Sequence, residues 1–109
     1  MPDGHDGMDI IEHLNHFGHE LRVLIYGSLQ ETEPLFSALE RAIGGHETAR
    51  FDSLPEERAE QRWRFSSHND AMHASELALH LLEQSGTSLR WFVRMIVAPQ
   101  EFLSEHDPH

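Results

Sequence analysis

The stretch SLRWFVRMIVA, residues 88–98, alternates bulky apolar side chains with arginines. In an extended chain successive side chains point to opposite sides. Leu89, Trp91, Val93, Met95 and Val97 therefore share one face, and Arg90, Phe92, Arg94 and Ile96 share the other. QRWRF, residues 61–65, repeats the pattern, with Trp63 and Phe65 against Arg62 and Arg64. A period of two with one apolar side is the mark of a half-buried strand. Both stretches read as strands that turn tryptophan towards a core and arginine away from it.

Two further strands and two long helices flank them. ELRVLIYGS, 20–28, is rich in strand-forming residues, with Val23 and Ile25 opposing Arg22, Leu24 and Tyr26. ETARFDS, 47–53, is a weaker strand, in which Phe51 is expected inward and Arg50 and Asp52 outward. Between these two, Leu35, Phe36, Leu39, Ala42 and Ile43 recur at helical spacing, with Thr32 as the expected cap, Pro34 in the first turn and Gly44-Gly45 as the stop. LPEERAEQ, 54–61, is polar and reads as a loop or a helical turn. Asn69 or Asp70 caps a third helix running to about Gln84, its apolar face built from Met72, Leu77, Leu79, Leu81, Leu82 and the alanines at 71, 74 and 78, and Ser85-Gly86 ends it.

Ahead of these, Asp9 with Glu12 makes a capping-box-like start to a short helix carrying Ile10, Ile11, Leu14 and Phe17. Residues 1–8 read as a flexible lead, 9–99 as a single α+β domain and 100–109 as a loose tail, with Pro99 stopping the last strand or placing it at an edge. The order after the first helix is βαββαβ, the ferredoxin-like arrangement. It predicts a four-stranded antiparallel sheet with both long helices on one face, the short N-terminal helix as an extra, and the Trp91 strand at one edge.

Composition narrows the function. The chain has 109 residues, net charge −11, eight arginines, no lysine and no cysteine. Disulfides, thiolate metal sites and cysteine nucleophiles are excluded. The acidic balance argues against general nucleic-acid or anionic-membrane binding. MPDGHDGMD lacks the apolar core of a signal peptide, and the longest apolar runs are too short to span a bilayer. A soluble cytoplasmic protein is expected.

The strand alternation places Arg22, Arg50, Arg62, Arg64, Arg90 and Arg94 on the sheet face away from the helices, mixed with Leu24, Tyr26, Phe92 and Ile96. Apolar side chains of that size call for a cover. Three covers are available: a second copy of the chain, the chain's own N-terminal helix, or an acidic partner or small anionic ligand held by guanidinium forks. The first reading is a small non-enzymatic regulatory or accessory protein acting by protein–protein contact, a homodimer through this face. Arg22, Tyr26, Arg62, Arg64, Arg90, Phe92 and Arg94 are its candidate interface or anion-binding residues.

Other readings rest on other residues. A small enzyme of the dimeric α+β-barrel type would use a pocket between sheet and helices, with His68 and Asn69 at a strand end. A histidine-rich metal-responsive protein would bind nickel or zinc through His73, Glu76 and His80, which are helical neighbours, with Glu83 on the same face and His13 and His16 as further ligands. An acidic inhibitor would occupy a partner's nucleic-acid-binding surface. No Walker loop, GxGxxG or HExxH motif is present.

LIYGSL, 24–29, resembles the YGSL substrate loop of γ-glutamylcyclotransferase-like proteins over about six residues. That family's barrel and distant catalytic Glu need a longer chain, so the segment reads as a strand end and turn. The strand order is similar to that of RNA-binding RRM domains, but RWRFSSHN does not follow the base-stacking RNP pattern. At fold level the chain also looks like ACT and PII-like sensor domains, though it carries the motifs of neither.

Overall fold

The computed structural model describes residues 19–97 and 100–108, with the side chains of residues 53, 54 and 100 left aside. The expected lead and the helix starting at Asp9 lie outside these residues. In chain order the elements are β1 (His19–Tyr26), α1 (Leu29–Ile43), β2 (Glu47–Leu54), β3 (Arg58–Phe65), α2 (His68–Ser85), β4 (Trp91–Val97) and β5 (Gln100–His106). They form one antiparallel sheet in the order β2-β3-β1-β4-β5. The first four strands and both helices are compatible with a ferredoxin-like α+β fold.

The strand count is the main correction. Gln100–His106, expected as a loose tail, pairs antiparallel with β4 from Val97↔Gln100 to Trp91↔His106. β4 is thus an interior strand and β5 takes the edge. Its alternation of Phe102 and Ser104 with Glu101, Leu103 and Glu105 is a weak strand signal, too polar to stand out in the sequence. β3 also begins earlier than expected, at Arg58, because Arg58, Glu60 and Arg62 face away from the helices while Ala59, Gln61 and Trp63 are buried beneath them.

The core follows the period of two. Leu21, Val23 and Ile25 of β1, Trp63 and Phe65 of β3, and Trp91, Val93, Met95 and Val97 of β4 are buried on one face. Phe36, Leu39 and Ile43 of α1 and Ala71, Ala74, Ala78 and Leu82 of α2 close over them. The alanine stripe of α2 lets that helix approach the sheet closely, beside the fully buried Trp63.

Ser28, not Thr32, caps α1. Its hydroxyl accepts from the Glu31 N–H at 3.2 Å, and the Glu31 carboxylate accepts from the Ser28 N–H at 2.8 Å, a complete capping box. Thr32 is instead buried one turn in, and Pro34 falls inside the helix, where it removes one backbone bond. Likewise Ser67, not Asn69 or Asp70, caps α2, accepting from the Asp70 N–H at 3.3 Å. Gly86 takes the left-handed conformation that ends α2, with φ of 68°.

The β2–β3 turn is less comfortable. Glu56 and Glu57 both have positive φ, 67° and 49°. For residues with a Cβ this costs about 1–2 kcal/mol each.

Candidate functional site

Both helices pack on one face of the sheet, so the other face is covered by none of the described residues. Register fixes the order of side chains on that outer face. Arg22 lies directly opposite Arg62 on one side and Arg94 on the other, so three guanidiniums form a row across β3, β1 and β4. The next row runs Glu60, Leu24, Phe92, Glu105, with Phe51 of β2 at its start. Beyond it Tyr26 faces Arg58. On the other side of the arginine row stand Glu47, Arg64, Glu20, Ile96 and Glu101.

Directly opposed like charges destabilise a sheet. Carboxylates two residues away on the same strand, or diagonally across on β5, compensate. Arg22 Nε donates to Glu20 at 2.5 Å and Arg62 Nε to Glu60 at 2.5 Å, while Arg94 pairs with Glu101 at 2.7 Å. Arg64 lies within ion-pair distance of Glu20 and Glu47, and Arg90 of Asp107. Several guanidiniums also lie over rings: Arg62 is 4.6 Å from the centroid of Phe51, and Arg90 is 4.9 Å from both Tyr26 and Phe92. Arg58 Nη1 donates to the Tyr26 hydroxyl at 3.3 Å. The face is therefore a checkerboard of both signs on an aromatic floor.

Of the sequence-derived candidates, Arg22, Tyr26, Arg62, Arg64, Arg90, Phe92 and Arg94 all come together here. Arg50 does not. It lies opposite Gln61, on the helix side, where it pairs with Glu33 at 2.9 Å and sits 4.7 Å over the Phe36 ring. Its hydrogen bond holds the Glu33 carboxyl below its ordinary range. Phe51 takes the outer place instead, 40% exposed. The expected orientation of β2 is thus inverted, because the arginine finds carboxylates on α1 that outweigh burying one ring. Arg58, expected in a loop or helical turn, instead opens β3 and joins the outer face.

A shallow groove of about 310 Å³ runs over the centre, lined by Arg22, Leu24, Tyr26, Glu60, Phe92 and Arg94, with Leu103 of β5 at its end. Leu103 is 56% exposed. It was missed because β5 itself was missed; the alternation of residues 100–106 was the signal available.

The remaining candidates are placed elsewhere. His73, Glu76 and His80 are exposed on α2, and the described residues contain no group of three or more His, Cys, Asp or Glu positioned to hold a metal ion. His68 lies at the start of α2 with its ring 5.7 Å from that of His19. Burial, and then the nearby His68 charge, lower the pKa of His19. Between sheet and helices Trp63, Phe36, Leu39 and Leu82 are almost completely buried. Gln61, fully buried there, donates to Glu40 at 2.8 Å and Thr48 at 2.9 Å. Among the described residues no helix is long and apolar enough to cross a membrane.

No protein-family model, no curated protein and no solved structure matches the chain.

Proposed function

We propose that this chain is a small non-enzymatic regulatory or accessory protein that acts by protein–protein contact, assembling as a homodimer through the outer face of its sheet. The observation that carries this reading is a five-stranded face that none of the described residues covers, with a groove at its centre among arginines already matched to carboxylates. A purely acidic partner or a small anion would have to displace those internal carboxylates. A surface bearing both signs in the same pattern meets them without displacement, and a second copy is such a surface.

The dimensions suit the role. Five strands of seven or eight residues span roughly 24 by 23 Å, from strand spacing and rise. That is of the order of the ~800 Å² per partner typical of stable interfaces. Phe92, Tyr26, Leu24 and Leu103 supply the apolar contact, and the arginine–carboxylate pairs run among and around them.

The test is solution mass by light scattering. The wild-type chain is expected to have twice the mass of one chain. Phe92→Lys, which sets the new ammonium opposite Glu105 of the same chain, is expected to halve that mass with the fold retained. A wild-type monomer, or an unchanged mass in the folded variant, overturns the reading.

A further inference from the structure

The row order of the outer face constrains how two copies can meet, an inference that rests on the homodimer reading. Two sheets packed face to face are related by a two-fold axis lying between them. If the axis runs along the strands, every row faces itself. Arg62, Arg22 and Arg94 of one copy then meet the same row of the other, guanidinium on guanidinium. The axis must therefore run across the strands.

Its height is then narrowed by charge and by which rows stay inside the contact. Between the Leu24 and Tyr26 rows the axis would bring Glu60 onto Arg58 but leave the Arg22 row outside. Centred on the Leu24 and Phe92 row, it sets Arg62 on Arg58 and the Arg94 row on that of Arg90. Placed between the Arg22 and Glu20 rows, it sets Arg62 on Arg64 and leaves Tyr26, Leu24 and Phe92 outside the contact. Between the Arg22 and Leu24 rows the conflicts at the centre vanish, and the like-charge meeting that remains on β3, Arg64 on Arg58, falls in the outer rows. Arg62 of each copy then faces Glu60 of the other. Arg94 faces Phe92, and the stem of Arg22 lies on Leu24.

We infer that the dimer axis crosses β3, β1 and β4 between these two rows. The groove lies over the same region, its lining drawing on the Arg22 and Leu24 rows and on Tyr26 of the next. Twist between packed sheets, roughly 30°, moves pairs far from the axis out of alignment. The Arg62–Glu60 and Arg94–Phe92 pairs lie within one strand of β1 and keep their partners.

This arrangement allows a rescue experiment. Arg62→Glu puts a carboxylate against Glu60 of a second copy, and Glu60→Arg puts a guanidinium against Arg62. Each variant alone is expected to be monomeric. Mixed in equal amounts they are expected to regain the wild-type mass, because position 62 of one chain then meets the opposite charge at position 60 of the other, and the second pair is matched as well. If the mixture stays monomeric while both variants keep wild-type circular dichroism, the axis is wrong. The homodimer reading then still stands, provided that Phe92→Lys alone dissociates a dimeric wild type.

A second measurement covers the case in which either variant fails to fold. The chain contains no cysteine, so Arg22→Cys and Leu24→Cys each carry a single thiol. With a short bis-maleimide, a mixture of the two is expected to cross-link at least several-fold faster than either variant alone. Equal rates in the mixture and in the separate variants would overturn the inferred axis.

Discussion

Arg22→Glu should weaken association far more than it changes the stability of the isolated chain. Arg22 stands between Arg62 and Arg94, directly opposite each. A like-charge cross-strand pair costs, and an opposite-charge pair contributes, about 0.2–1 kcal/mol. At the middle of that range, reversing the central charge changes each of the two pairs by about 1 kcal/mol, or about 2 kcal/mol together. The loss is the bond to Glu20, where the side chains are 31% and 11% exposed. Losing this part-buried charged hydrogen bond, and setting a second carboxylate beside Glu20, together cost about 2 kcal/mol after solvent screening. The isolated chain should therefore stay within about 1 kcal/mol of wild type, read from the urea midpoint at concentrations where wild type and variant are both monomeric. In the dimer the carboxylate would be pressed against Leu24 of the other copy. Desolvating it there costs at least ~1–3 kcal/mol on each side of the axis, so the dissociation constant should rise by about 100-fold, equivalent to about 2.7 kcal/mol. A folded variant that is still dimeric would refute the interface. One that loses more than about 2 kcal/mol as a monomer would refute the row argument itself.

Three other outcomes test the structure away from the interface. Glu57→Gly should raise stability by about 0.5–1 kcal/mol in chemical denaturation, because release of the left-handed strain at φ 49° outweighs the added freedom of the unfolded glycine. Gln61→Leu should lie within about 1 kcal/mol of wild type, whereas Gln61→Ala should lose about 2–3 kcal/mol, since leucine removes a buried carbonyl that has no partner and alanine leaves a cavity beside Trp63. For His19 the folded pKa lies below 6.5, so the unfolded chain takes up the proton first. Its contribution to stability is complete above pH 6.5 and declines as pH falls from there towards the folded pKa. His19→Gln should remove that part of the pH slope; an identical slope in the variant would show that His19 is not responsible.

The parts of the fold legible in the sequence are those where periodicity and burial agree. In β1, β3 and β4 the large apolar side chains alternate with arginines, and the structure buries the apolar set. β2 was misoriented because a single Phe in a polar strand is a poor guide to its inner face. Arg50 has Glu33 and Glu40 of α1 within ion-pair distance, partners set by tertiary contact and invisible in a strand pattern. β5 was lost for a related reason. At an edge only one neighbouring strand has to be satisfied, so residues 100–106 need little hydrophobicity to pair. The arginine cluster was legible as a cluster, but its neutralisation was not. Pairing Arg94 with Glu101 requires β5, and the Arg62–Arg22–Arg94 row is visible only once strand order and register are known.

The balance of that face bears on why the chain uses arginine throughout. Net charge −11 belongs to the chain as a whole, but the outer face matches its guanidiniums with Glu20, Glu47, Glu60, Glu101 and Asp107. A lysine could supply the charge of Arg62, but its point-like ammonium does not offer a planar fork. Arg62 binds Glu60 through Nε while its plane lies over Phe51. Arg90 covers Tyr26 and Phe92 while its Nε lies 3.6 Å from Asp107. Each such guanidinium is fixed by its own chain before any partner arrives, so little side-chain entropy remains to be lost on contact. Preorganised, mixed-sign surface of this kind favours a partner with the same pattern and disfavours one of a single sign. That is the physical basis for placing a second copy, ahead of an acidic protein or a small anion, on this side of the sheet.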